Sequence, residues 1–360
     1  MMIIKKLLEK INCNINYCKL NIKKIATIKV WVVSIVVVTV LLLLFYFFKI
    51  ANYYPAKIDL QYRPDFFGVT FSTKYATSLG LGWKETYLAV LTDLAVKKIR
   101  IPIYWDEIEE TEGVYDFSNY DYIINEGAKH QVKFIIDVGR RLPRWPECHS
   151  PAWLDNKDLV TAQNLTLKTI QIIVERYQDN KNVEYWQVEN EPFLSTFGVC
   201  PTPDKTFLEK EFALVRSLDT RQIIITGSGE MSYWRQEAKI GDIFGSTLYR
   251  VVYNSWFGYF RYPLPVFYYQ LKAKLAGLSP ERLMVLELQA EPWVPNGQVI
   301  TLSSREMNKS MSIDQFKANL QYSINLNFRR TYLWGVEWWY WQKKYGDPEY
   351  WRIAKSLFNK

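Results

Sequence analysis

Short apolar runs recur along this chain, separated by longer stretches whose apolar positions return every three to four residues. The runs fall at 66–72, 97–102, 132–138, 183–188, 222–226, 245–250, 283–288 and 331–336. Their lengths and their content of Val, Ile, Phe, Tyr and Trp predict strands. The stretches near 84–95, 117–129, 162–178, 204–217, 265–276, 313–326 and 348–358 have the spacing of amphipathic helices. Strand and helix alternate, which implies βα units around a parallel sheet. Eight such units make closure into an α/β (β/α)8 barrel the economical arrangement. An open doubly wound sheet is the other arrangement, but no Gly-rich phosphate loop follows the first strand. No short internal repeat and no low-complexity segment interrupts the pattern.

The N-terminal part follows a different rule. Residues 30–48 are nineteen in a row without a charge, bounded by Lys29 and Lys49. That length spans a bilayer core. Seven lysines lie within the first 29 residues, so the positive-inside rule places the N-terminus in the cytoplasm and the bulk of the chain outside. A cleaved signal peptide is the competing interpretation. Its apolar core is usually shorter, and Ile50-Ala51-Asn52 makes a poor cleavage site. The expected layout is a basic cytoplasmic tail at 1–29, a transmembrane signal-anchor at 30–48, a linker at 49–65 and the barrel at 66–360. Cys13 and Cys18 would then be cytoplasmic and reduced, whereas Cys148 and Cys200 would lie where disulfides survive.

Charge and composition narrow the function. The net charge of +8 is largely the work of those seven lysines, so the remainder is near neutral and nucleic acid is not the expected partner. Only two histidines occur, His130 and His149, which disfavours a His-based triad or a multi-His zinc site. Aromatic residues make up 16% of the chain. Most of that serves core packing, but aromatic rings are also the usual platforms for apolar sugar faces.

Two carboxylates sit at strand ends. The run Val183-Glu184-Tyr185-Trp186-Gln187-Val188 leads into Glu189-Asn190-Glu191-Pro192, and Leu283-Met284-Val285-Leu286 leads into Glu287. Strand ends at the C-terminal face of a parallel barrel are where chemistry sits. Paired carboxyl groups there suit glycoside cleavage, one donating a proton and the other attacking the sugar or activating water.

Asn190-Glu191-Pro192 after an apolar strand resembles the acid/base signature of the clan A glycoside hydrolases, a superfamily of (β/α)8 barrels. The resemblance covers about residues 66–358. Val188-Glu189-Asn190-Glu191 is similar to the strand-four segment of family 35. Arg100-Ile101-Pro102 resembles strand two of the family 5 cellulase-like enzymes, and the loop Pro143-Arg144-Trp145 to Pro151-Ala152-Trp153 looks closer to family 42. Family 5 commonly has a His after the strand-three Asp, where this chain reads Asp137-Val138-Gly139. The resemblance implies that Glu191 is the general acid/base and that Asn190 bonds the sugar 2-hydroxyl. It makes Glu287 the nucleophile and Arg100 the residue that holds it as a carboxylate. Glu291, followed by Pro292, is the rival nucleophile, and Glu189 is a supporting polar group. Tyr249 would bond the nucleophile and Trp334 would floor the sugar subsite, although both equally suit core packing. Trp338, Trp339 and Trp341 would line the cleft or pack.

With both assignments the carboxyl groups would stand about 5 to 5.5 Å apart and give retention. Cys148 and Cys200 fall in neighbouring loops after strands three and four and are expected to form a disulfide. The expected protein is a membrane-anchored retaining glycosidase acting on an oligo- or polysaccharide, with no metal and no organic cofactor. A transglycosidase on the same site and a non-catalytic carbohydrate-binding barrel are the alternatives.

Overall fold

Buried apolar runs bounded by turn residues form the eight strands that the pattern predicts. In the computed structural model, which describes residues 2, 27–46, 61–63 and 65–359, they are β1 (Phe67–Thr70), β2 (Lys98–Pro102), β3 (Lys133–Val138), β4 (Val183–Val188), β5 (Ile223–Gly227), β6 (Ile243–Leu248), β7 (Leu283–Gln289) and β8 (Arg330–Trp334). All pair in parallel, and β1 closes on β8, so the sheet is a closed eight-stranded barrel. Helices such as Ser118–Lys129, Leu159–Tyr177 and Ile313–Leu326 connect them. Between β5 and β6 the connection holds only the short 3-10 turn Glu237–Lys239.

Strand periodicity sorts the side chains. Ile135, Tyr185, Ile224, Ile243, Met284, Leu286 and Tyr332 form the apolar filling of the barrel interior, while Ile99, Ile101, Ile136 and Trp186 point outward into the larger core beneath the helices. Alternation therefore sends Arg100 inward, between two outward isoleucines. Lower in the interior, Lys98 and Arg330 both pair with Glu184, at 3.0 and 2.8 Å.

The alternation slips by one residue in β4 against β3, and it breaks again where it matters most. Ser246 faces Val285 and Thr247 faces Glu287, so β7 carries one extra residue against β6, and its register to β8 shifts at the same place. This β-bulge turns Glu287 toward the cavity although Leu286 beside it already points inward.

Several boundaries differ from the sequence expectation. β6 runs two residues earlier than expected, so Tyr249 follows the strand rather than ending it. β8 stops at Trp334, and Gly335 opens a helix, Val336–Tyr345, that the strand pattern did not anticipate. Trp338 and Trp339 lie fully buried on that helix and pack in the core, with Trp341 half-buried against it. A hairpin of Val251–Asn254 with Gly258–Arg261 was also not foreseen.

The helix Thr27–Tyr46 belongs to a separate unit from the barrel. It has 20 residues and a mean hydropathy of 2.8, and is the one helix among the described residues long and apolar enough to cross a membrane. Cys13, Cys18, most of the basic tail and most of the linker lie outside the described residues.

Candidate active site

The C-terminal ends of the barrel strands surround a cavity of about 830 Å³, lined among others by Glu147, Glu191, Glu230, Tyr249, Glu287 and Trp334. Each catalytic candidate reaches it from a different strand end.

Glu191 arrives through a strained backbone. β4 ends at Val188, and both Glu189 and Glu191 take positive φ, 57° and 45°, which is unusual outside glycine and clusters at functional sites. The Glu191 N–H donates to Thr226 Oγ1 at 2.7 Å, and Thr247 Oγ1 donates to its carboxyl at 3.2 Å. Burial, then the charges of Glu287 and Glu147, push the Glu191 carboxyl well above the ordinary carboxylate range. It therefore keeps its proton to higher pH than a free carboxyl does, the property that general-acid chemistry requires.

Glu287 is held at both oxygens. Arg100 Nη1 donates to one at 3.1 Å and the Tyr249 hydroxyl to the other at 3.0 Å. Arg100 is fully buried. Its Nη2 donates to Asn190 Oδ1 at 2.9 Å, and its Nε pairs with Asp137 at 2.8 Å. A guanidinium suits this post because its fork can serve three acceptors and it does not lose its charge. Burial raises the Asp137 carboxyl to about 7 in spite of Arg100.

Asn190 is pinned by Arg100 and by Thr226 Oγ1 at 3.1 Å, and its amide N–H₂ is turned toward Glu147, 3.4 Å away. Glu189 bonds the chain beside it instead of facing the cavity. Its carboxylate accepts the N–H groups of Arg140 and Arg141, at 2.7 and 2.6 Å, and so ties the loop after β3 to the end of β4.

The rival Glu291 has a different setting. Arg144 donates to both of its oxygens and also to Glu337. The Arg144 guanidinium stacks on the rings of Tyr75 and Trp334, 3.5 and 3.9 Å from their centroids. Trp334 thus lines the cavity while Arg144 covers part of its ring. Cys148 and Cys200 are joined in a disulfide, Cα to Cα 5.3 Å, linking the loops after β3 and β4.

Five further residues of the site had no role in the sequence reading: Asp137, Arg144, Glu147, Glu230 and Glu337. Asp137 ends an apolar strand as Glu191 and Glu287 do, and that signal was available. Glu230 accepts from the Tyr269 hydroxyl at 2.7 Å and the Tyr249 N–H at 3.1 Å, and so seats Tyr249. Nothing in its local sequence marks this, because its partners lie on other elements. Among the described residues no group of three or more His, Cys, Asp or Glu side chains is placed to hold a metal ion.

Comparison with known proteins adds to this geometry. The family model described as "Cellulase (glycosyl hydrolase family 5)" matches residues 66–256, more than half of the 360-residue chain. The matched stretch includes β1 to β6 and Glu191, and stops short of β7. Beta-galactosidase BgaA of Clostridium cellulovorans is 22% identical over 175 residues, 41% of this chain and 25% of that protein. Mannan endo-1,4-beta-mannosidase A of Emericella nidulans is 22% identical over 138 residues, 36% of this chain and 35% of that protein. The chain thus spans only a quarter to about a third of these relatives. Among solved structures, xylanase 10B of Thermotoga petrophila, in complex with xylobiose, aligns with a TM-score of 0.51 at 14% identity, over 76% of this chain and 86% of that one. A GH10 endoxylanase from a sugarcane soil metagenome aligns with a TM-score of 0.50 at 15% identity, over 75% and 86%. At such identities the structural likeness speaks for the barrel alone.

Proposed function

The chain belongs to the cellulase family, glycosyl hydrolase family 5, and from that premise we propose that it is a retaining glycosidase cleaving β-O-glycosidic bonds of an oligo- or polysaccharide. The observation that carries this is the pairing of a protonated carboxyl, Glu191, with a carboxylate gripped at both oxygens, Glu287, in one cavity at the strand ends.

Glu287 attacks C1 of the sugar while Glu191 passes its proton to the leaving oxygen, and a glycosyl ester forms on Glu287. Water then enters. Glu191, now a carboxylate, takes a proton from it as its oxygen attacks C1, and Glu287 is released. Arg100 and Tyr249 keep the nucleophile aimed, Asn190 binds the substituent at C2, and Trp334 with Arg144 forms part of the wall. No step calls on a metal or a cofactor.

The assignment of the nucleophile to Glu287 rather than Glu291 is supported by their partners. Arg144 binds Glu291 across both oxygens, whereas Glu287 shares its cation with Asn190 and Asp137. Thr27–Tyr46 supports a signal-anchor, with the lysine-rich tail in the cytoplasm and the barrel outside the membrane. The Cys148–Cys200 bridge fits that side, where disulfides persist.

The test uses the full-length protein in detergent with a panel of aryl β-glycosides and of β-glucan, mannan, xylan and galactan oligosaccharides. Glu191→Gln and Glu287→Gln should each lose about 10²- to 10⁴-fold in kcat. Proton NMR of the first product should show the β-anomer. An α-anomer would exclude retention, and equal rates for Glu287→Gln and wild type would move the nucleophile to Glu291.

A further inference from the structure

One carboxyl of the cavity is left unused by this mechanism. Glu147 is 5% exposed and lines the cavity together with Glu191 and Glu287. It is held there firmly. Its backbone φ is 74°, Gly198 lies so close to its side-chain stem that a Cβ would not fit, and the next residue, Cys148, is bridged to Cys200.

Apart from Glu191, the acid of the proposed mechanism, its neighbours among the acids have strong partners. Glu287 has Arg100 and Tyr249, Glu291 and Glu337 share Arg144, and Glu230 has the Tyr269 hydroxyl. Among the described residues the Glu147 carboxyl has one hydrogen bond, the 3.4 Å contact from Asn190 Nδ2, and no ion pair. Five glutamates line the cavity against two cations, Lys74 and Arg144. Both cations are already taken, by Asp106 and by Glu291 with Glu337. No cation of the lining is therefore left over for Glu147, and Arg141 and Arg100 act on it only through their charge, without an ion pair. Burial and the charge of Glu287 push the Glu147 carboxyl up to about 8, so the empty cavity keeps a proton there that an arriving cation would displace.

The position of Glu147 follows from a row of contacts: Glu287 to Arg100, Arg100 to Asn190, Asn190 to Glu147. Sugar chemistry decides what such a group meets. The ring atoms beside C1 are O5, which bears no hydrogen, and C2, which bears a hydroxyl or an amine. A carboxyl flanking the nucleophile therefore finds a donor on the C2 side. A hydroxyl there gives the carboxylate a donor but no ion-pair partner, whereas an ammonium supplies both charge and donors.

We propose that Glu147 is a specificity-determining residue that pairs with a protonated amine at C2 of the sugar attacked by Glu287. The substrate class is then a β-linked glycan containing 2-amino-2-deoxyhexose units with free amino groups. This inference rests on the proposed glycosidase reading, with Glu287 as nucleophile.

The experiment compares matched pairs at about pH 6, where a sugar amine of this kind is charged. The pairs are the aryl 2-amino-2-deoxy-β-glucoside and -galactoside against the aryl β-glucoside and -galactoside, with full-length wild type and Glu147→Gln. In parallel, titration calorimetry measures binding of a glucosamine tetramer and of cellotetraose to Glu287→Gln, with and without Glu147→Gln. Wild type should favour the amino member in kcat/KM by about ten-fold or more, the scale of one hydrogen bond to a charged group. Glu147→Gln should erase that ratio mainly through KM. Glu287→Gln should bind the glucosamine tetramer in preference to cellotetraose, and that arm holds even if Glu147→Gln does not fold. Cleavage of the neutral members at equal or higher rates, with a ratio that Glu147→Gln leaves unchanged, overturns the amine assignment and leaves the glycosidase reading intact. Absence of both cleavage and binding across the whole set overturns the two together.

Discussion

Arg100 carries an unusual share of the site. Fully buried, it meets Asp137, Glu287 and Asn190 at once. Replacing it by Met would leave two carboxyl groups buried without a cation, a loss of about 3–5 kcal/mol by the cost of breaking a buried pair. Urea unfolding of Arg100→Met should reveal that loss, and kcat should fall with it. Arg100→Lys restores charge but not the three-way fork, so it should recover stability better than activity. Glu191 makes a prediction of opposite kind. Its carboxyl is raised above the ordinary value, so the acid form persists as pH rises and is lost only through that raised value. kcat/KM should therefore fall on the alkaline side. The limb should vanish with a dinitrophenyl leaving group, which needs no proton, and a limb that survives with that substrate would point to another group. These two residues were legible in sequence because a lone Arg between isoleucines and a Glu closing an apolar strand are conspicuous. Glu147 and Arg144 were not, since both lie in a loop whose partners come from other strands.

At the level of elements, two irregularities build the site. The bulge in β7 aims Glu287, and the positive-φ turn after β4 aims Glu191. Parity counted along the sequence can reveal neither, because a bulge is defined by the partner strand. The turn after β4 is braced from behind. Glu189 bonds the loop after β3, where Gly139 has φ 120° and a Cβ would run into the Glu189 carboxylate. Gly139→Ala should thus lower activity as well as melting temperature, and an unchanged kcat would mean that the brace does not position Glu191. Behind Glu189 lies Glu211, on the helix Lys205–Leu218. Burial, and then the charge of Glu189, raises its carboxyl well above the ordinary carboxylate range. Its proton is therefore bound more tightly in the folded chain than in the unfolded one. The stabilisation is complete below the unfolded value and is lost as pH rises through the folded value. Glu211→Gln should flatten the decline of stability with rising pH, as followed by denaturation midpoints from about pH 5 to 9.

At the scale of the whole molecule, the bridge and the proposed anchor make the predictions. Cys148 and Cys200 are separated by 52 residues, and closing a loop of that size is worth about 4 kcal/mol on the chain-entropy model. The double Cys→Ser variant should unfold at lower temperature, and reductant should shift wild type but not the variant. For the anchor, the full-length protein should resist alkaline carbonate extraction from membranes. Protease added outside intact cells should reach the barrel but not the lysine-rich tail. Release by carbonate would exclude the anchor, and a protected barrel would reverse the topology.

Local pattern was enough for the eight strands, their alternation with helices, the long apolar segment and the carboxylates at two strand ends. Each of these depends on periodicity or on the nearest few residues, and those are written directly in the chain. Closure of β1 on β8 could be inferred only by counting units. The tertiary structure decided the rest: which extra residue in β7 turns Glu287 inward, that Tyr249 bonds it while Trp334 is partly covered by Arg144, and that Glu147 shares one cavity with Glu191 and Glu287. These outcomes depend on groups brought together from strands and loops far apart in sequence. Burial and mutual charge, rather than residue type, then set what each carboxyl can do.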